Sequence, residues 1–179
     1  KEKSVGGGED RGGAGLGGGG GAVTGLYRGR KGAVYRFALH MSGDGEVSED
    51  GTHEVFIALL GSGGRFVPAR GTLLSFLYGI ARNLLLKRLE KKRLEGPETL
   101  ADELVAEDDV LDDLTRRETI EAVRSAVLSL PAPYREAVVL CDLENAIYED
   151  AAAALECPVG TVRSRLSRGR AILGLILAV

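Results

Sequence analysis

The sequence predicts an all-α protein made of two small helical domains joined by an acidic linker. Three observations carry this reading. Apolar residues recur with the 3.6-residue helical period from about residue 26 to the end, and no alternating strand pattern rises above it. Glycine and proline clusters divide that pattern into helices of ordinary length. Charge is segregated along the chain although its net value is only −3.

Residues 1–25 are dominated by glycine and are expected to form a disordered tail, because they carry too little apolar surface to offset ordering entropy. From Leu26 the pattern turns helical, opening a first domain over residues 26–95. Val34, Phe37, Ala38 and Met41 mark a first helix, which Gly43-Asp44-Gly45 breaks. A second helix is expected from Glu46 to Leu60, with Val47, Val55, Ala58 and Leu59 facing inward. After a loop over Arg65–Gly71, a third runs from Thr72 to Glu95 with Leu73, Leu77, Ile80 and Leu84 as its stripe. Its far end is basic: Arg82, Lys87, Arg88, Lys91, Lys92 and Arg93.

Between Gly96 and Asp113 every charged residue is acidic, from Glu98 to Asp113 itself, so residues 96–113 read as an exposed linker. A second domain is expected over residues 114–179. Ile120, Val123 and Val127 mark one helix, Pro131 and Pro133 punctuate, and Tyr134–Leu143 gives another. The alanine-rich stretch Tyr148–Leu155 and the basic stretch after Pro158 then read as a helix-turn-helix. Tyr148, Ala151, Ala152 and Leu155 are spaced to face the second helix, and the alanines permit close backbone approach.

The second helix of that pair separates two stripes. Val162, Leu166 and Leu173 lie on one, and Thr161, Ser164, Arg165 and Arg168 on the other. Hydroxyls and arginines on a free face suit a major groove, where arginine bonds guanine edges in bidentate fashion. The plainer alternative is a solvated cationic face. Against it, no acidic residue occurs from Cys157 to Val179 in a chain whose pI is about 5.5.

Composition narrows the function classes further. Cys141 and Cys157 lack CxxC spacing and lie far from His40 and His53, so neither a metal site nor a disulfide framework is expected. Cys141 falls on an apolar stripe and reads as a buried thiol in a reducing compartment. No nucleophile–base constellation and no phosphate-cradling glycine loop appears, so the chain reads as neither an enzyme nor a cofactor binder. No apolar run reaches membrane-spanning length and no signal-peptide core is seen, so no membrane insertion is expected and the cytoplasm is the expected location.

Several segments together resemble bacterial RNA polymerase sigma factors of the extracytoplasmic-function (ECF) type, in the sigma-70 family. Leu26-Tyr27 with Val34–Ala38 resembles the opening helix of region 2, and Ser48–Phe56 resembles that region's acidic core-binding segment. Phe76–Asn83 is similar to its "WL..IARN" signature. Leu130–Glu136 resembles the start of region 4, and Pro158–Arg165 its recognition helix. The resemblance implies a helical-bundle region 2 and a region 4 ending in the helix-turn-helix.

It also implies a transcription-initiation factor whose partners are core RNA polymerase, promoter DNA and an anti-sigma factor. Asp50, His53, Glu54 and Phe56 would meet the clamp helices of the largest polymerase subunit. Arg65, Phe66, Arg82, Asn83, Lys87 and Arg88 would serve the −10 element, Phe66 by receiving an unstacked base and the cations by holding phosphates. Thr161, Arg163, Ser164, Arg165 and Arg168 would serve the −35 element. The acidic linker would follow the RNA exit path. Two alternatives stand beside this reading: an autonomous helix-turn-helix regulator, and a module binding polymerase or an anti-sigma factor with impaired DNA reading. The departures from the family pattern are His53 for glutamine, Gly51 for an apolar residue, Phe76 for tryptophan, Asn145-Ala146-Ile147 in the lead-in to the helix-turn-helix, and Glu156 for glycine at its turn.

Overall fold

A computed structural model describes residues 20–61, 65–96 and 111–178. Most of the glycine-rich tail and most of the acidic linker lie outside those residues. The described chain is helical throughout: α1 (Gly20–Ser42), α2 (Gly45–Gly61), a 3-10 turn (Pro68–Arg70), α3 (Leu73–Glu95), α4 (Leu111–Ser129), α5 (Ala132–Val138), a π-helical turn (Val139–Leu143), α6 (Tyr148–Leu155) and α7 (Val159–Leu177). The first helix begins at Gly20, inside the segment expected to be a tail; it continues the register of Val34, Phe37 and Met41 backwards.

Local chemistry sets the boundaries. Gly43 ends α1 at φ 72°, where its N–H bonds to the Leu39 carbonyl at 2.8 Å, and only a residue without Cβ adopts that backbone without strain. Asp44 then caps α2 by accepting from the Val47 N–H at 3.0 Å. Thr72 does the same for α3, accepting from the Ser75 N–H at 3.2 Å.

Helices α1, α2 and α3 pack on one another around Val34, Phe37, Met41, Val55, Leu59, Leu77 and Leu85. The inward face of α2 differs from the expected one. It buries Ser48, Gly51 and Thr52 beside Val55, Phe56 and Leu59, while Val47 and Ala58 stay half-buried. The buried hydroxyls are satisfied locally: Ser48 donates to the Asp44 carbonyl at 2.5 Å and Thr52 to the Ser48 carbonyl at 2.6 Å. Likewise α3 buries Leu77 with Ser75, Tyr78, Ala81 and Leu85, and leaves Leu73, Ile80 and Leu84 half-buried. The reason is tertiary, since α3 packs against α1 and α2 and also against α6.

The second group, α4 to α7, encloses Leu130, Ala137, Val138 and Leu166. Gly169 completes the α7 stripe; a Cβ there would stand 2.7 Å from Val138 Cγ2 and 3.2 Å from the Tyr134 carbonyl oxygen. The two groups are not separate bodies. One buried cluster runs from Phe37 and Leu77 through Val127, Val139 and Leu140 to Ala151, Leu155 and Val162.

Gly51 is a weak point inside α2. Its missing Cβ would lie 3.9 Å from Leu85 Cδ2, an ordinary contact distance, so the site holds a methyl group without displacement. Gly51→Ala is expected to stabilise the chain by about 1 kcal/mol through helix propensity. Chemical denaturation would show the midpoint rising at unchanged slope.

Candidate nucleic-acid interface

The helix-turn-helix spans α6, a three-residue turn (Glu156, Cys157 and Pro158) and α7. Ala151, Ala152, Ala154 and Leu155 of α6 are buried, and Tyr148 is half-buried. The alanines serve two neighbours: α6 packs on α7, as expected, and also on α3. Asn145, just before α6, sits at φ 55°, a region asparagine tolerates better than most residues.

The turn contains Glu156 at φ 51° and ψ 44°. The Cys157 N–H bonds the Ala152 carbonyl at 3.1 Å and the Glu156 N–H bonds the Ala153 carbonyl at 3.4 Å. This pair of bonds is a Schellman closure, which favours glycine at the left-handed position. The backbone thus keeps the turn that a glycine would make, with a side chain in a region that disfavours it. Glu156→Gly is expected to stabilise the second helical group by about 1 kcal/mol. Thermal unfolding followed by circular dichroism would register this as a rise of about 2–4 °C in Tm.

On α7, Val162, Leu166 and Gly169 are buried and Leu173 is half-buried. The opposite face carries Arg163, Ser164, Ser167 and Arg168 in the open, with Thr161 and Arg165 half-buried. The four arginines are not equivalent. Arg170 makes a two-pronged ion pair with Asp142, at 3.0 and 2.6 Å, and this pair raises its pKa further above the ordinary guanidinium value. Arg163 lies over the Tyr148 ring at 5.6 Å. Arg165 and Arg168 pair with no described residue. Ser164 donates to the Thr161 carbonyl at 3.0 Å, which leaves its oxygen able to accept.

The residues expected at the −10 element are distributed over α3 and the loop before it. Arg65 is exposed, and Phe66 is half-buried with its ring tilted against Phe76 at 5.6 Å. Asn83 and Lys87 are exposed. Two of the cations are already engaged: Arg82 pairs with Glu136 of α5 at 2.9 Å, and Arg88 pairs with Glu54 of α2. Glu54 is therefore tied to α3, with its side chain still 45% exposed.

The expected polymerase-facing set on α2 also divides. Asp50 and His53 are exposed, and the Tyr27 and His53 rings stack at 6.5 Å. Phe56 turns inward at 6% exposure and meets Tyr27 edge-on at 4.8 Å. The exposed stripe of α2 runs Glu46, Glu49, Asp50, His53, Ile57 and Leu60, acidic at one end and apolar at the other. Ile57 is 67% and Leu60 59% exposed. Sequence reasoning passed over these two, although their i, i+4, i+7 spacing from His53 was legible.

A cavity of about 620 Å³ separates the loop before α3 from the helix-turn-helix. Arg65, Phe66 and Arg70 line one side, and Glu156, Cys157 and Val159 the other. Cys141, expected to be a buried thiol, is half-buried, and burial raises its thiol pKa. Among the described residues there is no cluster of metal-ligating side chains and no helix long and apolar enough to cross a membrane.

Comparison with known proteins places this geometry. Residues 26–95 match the family model for Sigma-70 region 2, and residues 120–173 match that for Sigma-70, region 4. The chain is 37% identical over 149 residues to the ECF RNA polymerase sigma factor SigE of Mycolicibacterium smegmatis, covering 81% of this chain and 57% of that protein. It is 33% identical over 146 residues to the ECF RNA polymerase sigma factor EcfG of Rhodopseudomonas palustris, covering 80% and 78% respectively. It is 31% identical over 155 residues to SigW of Bacillus subtilis, covering 80% and 82%. The sigma factor RpoE of Bartonella quintana, solved in complex with the anti-sigma factor NepR, superimposes with a TM-score of 0.71 at 26% identity, covering 88% of this chain and 98% of that one. CnrH, solved with the cytosolic domain of CnrY, shares the fold at a TM-score of 0.67 and 22% identity, covering 90% of each chain. With both regions matched in order and relatives aligned along most of its length, this chain belongs to the sigma-70 family of RNA polymerase sigma factors, in the ECF group.

Proposed function

We propose that the chain is a transcription-initiation factor that joins core RNA polymerase and directs it to promoters by reading −10 and −35 elements. The observation that carries this is the division of α7. Its Val162–Leu166–Gly169 edge is packed, and the opposite edge presents Thr161, Ser164, Arg165 and Arg168, two of them guanidiniums with no described partner. A helix held by one edge with free donors on the other suits major-groove reading.

Within this reading, Arg165 and Arg168 read the −35 element, Arg163 orients through Tyr148, and Arg170 braces α7 on Asp142. Phe66 and the Arg65–Arg70 loop receive an unstacked base of the −10 element, with Asn83 and Lys87 beside it on α3. Arg82 and Arg88 grip phosphates once released from Glu136 and Glu54. The polymerase-facing surface is the α2 stripe, with Asp50 and His53 as its polar part and Ile57 and Leu60, rather than the inward Phe56, as its apolar anchors. Anti-sigma partners are proposed on the strength of the relative solved with NepR. The role is one of binding and positioning rather than catalysis.

Run-off transcription with core polymerase on a promoter library tests the proposal. Start sites selected only when the chain is present support it; core binding without start-site selection, or tight sequence-specific DNA binding by the free chain alone, overturns it. The α2 assignment has its own check. Ile57→Asp with Leu60→Asp is expected to weaken core association at least tenfold while circular dichroism stays unchanged, since both side chains already face water.

A further inference from the structure

The cavity between the loop before α3 and the helix-turn-helix has a far wall that promoter reading leaves unused. At its floor is Gly71, at φ 146°, where a Cβ would stand 2.8 Å from Ser75 Oγ and 3.0 Å from Ala153 Cβ. A side chain at this position would press the loop off α6. Around that contact the space between the walls amounts to about 620 Å³. Sites that enclose a small organic molecule run from about 300 to 1,000 Å³.

The lining is charged in two halves. Arg65 and Arg70 stand on the loop side, and Glu149 of α6 and Glu156 of the turn stand on the other. No other lining residue is charged, so the four sum to zero. They do not neutralise one another, however. All four are exposed, and none forms an ion pair with another of them or with any described residue. Between the two halves the surface is apolar: the Phe66 and Phe76 ring centroids lie 5.6 Å apart, and Val67 and Val159 also line the space.

This pattern selects among small molecules. A polyanion such as a nucleotide gains from the arginines but meets two carboxylates opposite. A simple cation meets the reverse. A molecule with a carboxylate at one end, an ammonium at the other and an apolar body between them satisfies both walls. Guanidinium pairs with carboxylate in a planar, two-pronged fashion, and an ammonium has three donors to offer to carboxylates. A free peptide carries both groups at its ends, separated by about 3.3–3.6 Å per residue when extended.

We propose that this cavity is a binding site for a short zwitterionic peptide of about two or three residues with aromatic or branched side chains. Its terminal carboxylate lies on Arg65 and Arg70, its terminal ammonium on Glu149 and Glu156, and its apolar side chains against Phe66 and Phe76. A bound peptide covers Arg65 and Phe66 and so competes with the −10 strand. That consequence rests on the proposed promoter-reading role; the binding itself does not.

Isothermal titration calorimetry of the full chain with L-phenylalanyl-L-leucine is the first test. Saturable binding of one peptide per chain is expected. N-acetylation and C-terminal amidation of the peptide are each expected to weaken binding by about fivefold or more, the worth of a charge pair near a surface. Replacing both Arg65 and Arg70 with Gln is expected to abolish the preference over the amide. Replacing both Glu149 and Glu156 with Gln is expected to abolish the preference over the acetylated form. The second test locates the site. Cys157 lines the cavity and Cys141 does not, so the dipeptide is expected to slow alkylation of Cys157 alone by iodoacetamide, read by mass spectrometry. Absence of saturable binding, equal affinity for the capped peptides, tighter binding of uridine monophosphate, or an unchanged Cys157 rate overturns the site. Dipeptide binding that leaves run-off transcription unaltered overturns only the competition with the −10 strand, and promoter reading stands or falls on transcription without peptide.

Discussion

Replacing Arg165 and Arg168 together with alanine is expected to reduce promoter-directed transcription by roughly a hundredfold while core polymerase binding is unchanged. The size follows from what each guanidinium can do. A bidentate contact to a guanine edge discriminates by about 1–3 kcal/mol, and these two are the α7 arginines not committed to a described partner. Stability should barely move, because neither side chain braces the fold. Run-off transcription paired with a core-association assay checks it, and parallel loss in both would refute the division of labour between α2 and α7. Arg170→Ala is the informative contrast: it removes the Asp142 pair, so its effect should come through the placement of α7 and be smaller.

The largest stability effect is expected at Phe37. Its side chain is fully buried, with its ring 5.1 Å from that of Tyr78, and Tyr78 in turn donates to Glu144, between α5 and α6. Phe37→Ala removes the largest fully buried side chain among the described residues and leaves a cavity in the α1–α3 contact. The expected loss is about 3–5 kcal/mol, or roughly 10 °C in Tm for a chain of this size. Leu94→Ala is the matched control, since Leu94 is 76% exposed and its truncation should change little. Equal losses at the two positions would show that the α1–α3 core is placed wrongly.

Much of this was legible in the sequence. The second helix was expected at Glu46–Leu60 and runs Gly45–Gly61; the third was expected at Thr72–Glu95 and runs Leu73–Glu95 with Thr72 as its cap. The first helix of the helix-turn-helix falls where the alanine spacing placed it, at Tyr148–Leu155. These agreements share a cause: glycine, proline and capping residues act on the backbone beside them, and helical period is a property of a single element. Glu156 belongs with them, because a left-handed turn position is defined by its immediate neighbours.

The misplacements have a different cause. The inward stripe of α3 was drawn along Leu73, Leu77, Ile80 and Leu84, but burial centres on Tyr78, Ala81 and Leu85 because α6 covers part of the helix. Phe56 was expected to face outward with the acidic residues, but Tyr27 of α1 draws it inward. Both errors concern which neighbour a side chain meets, and the neighbour is distant in sequence.

The sequence by itself determined an all-helical chain, its punctuation, a cationic helix-turn-helix and membership of a family, because propensity, capping and periodicity are local and motifs are written in order. Only the tertiary structure decided which α7 arginines lack a described partner, that Ile57 and Leu60 rather than Phe56 face outward, and that Glu136 pairs with Arg82 of α3 while Glu144 meets Arg36 of α1 and Tyr78 of α3. Those outcomes depend on distances between residues as far apart as Arg36 and Glu144. Long-range ion pairs and backbone approaches of that kind arise from packing, which no single stretch of sequence encodes.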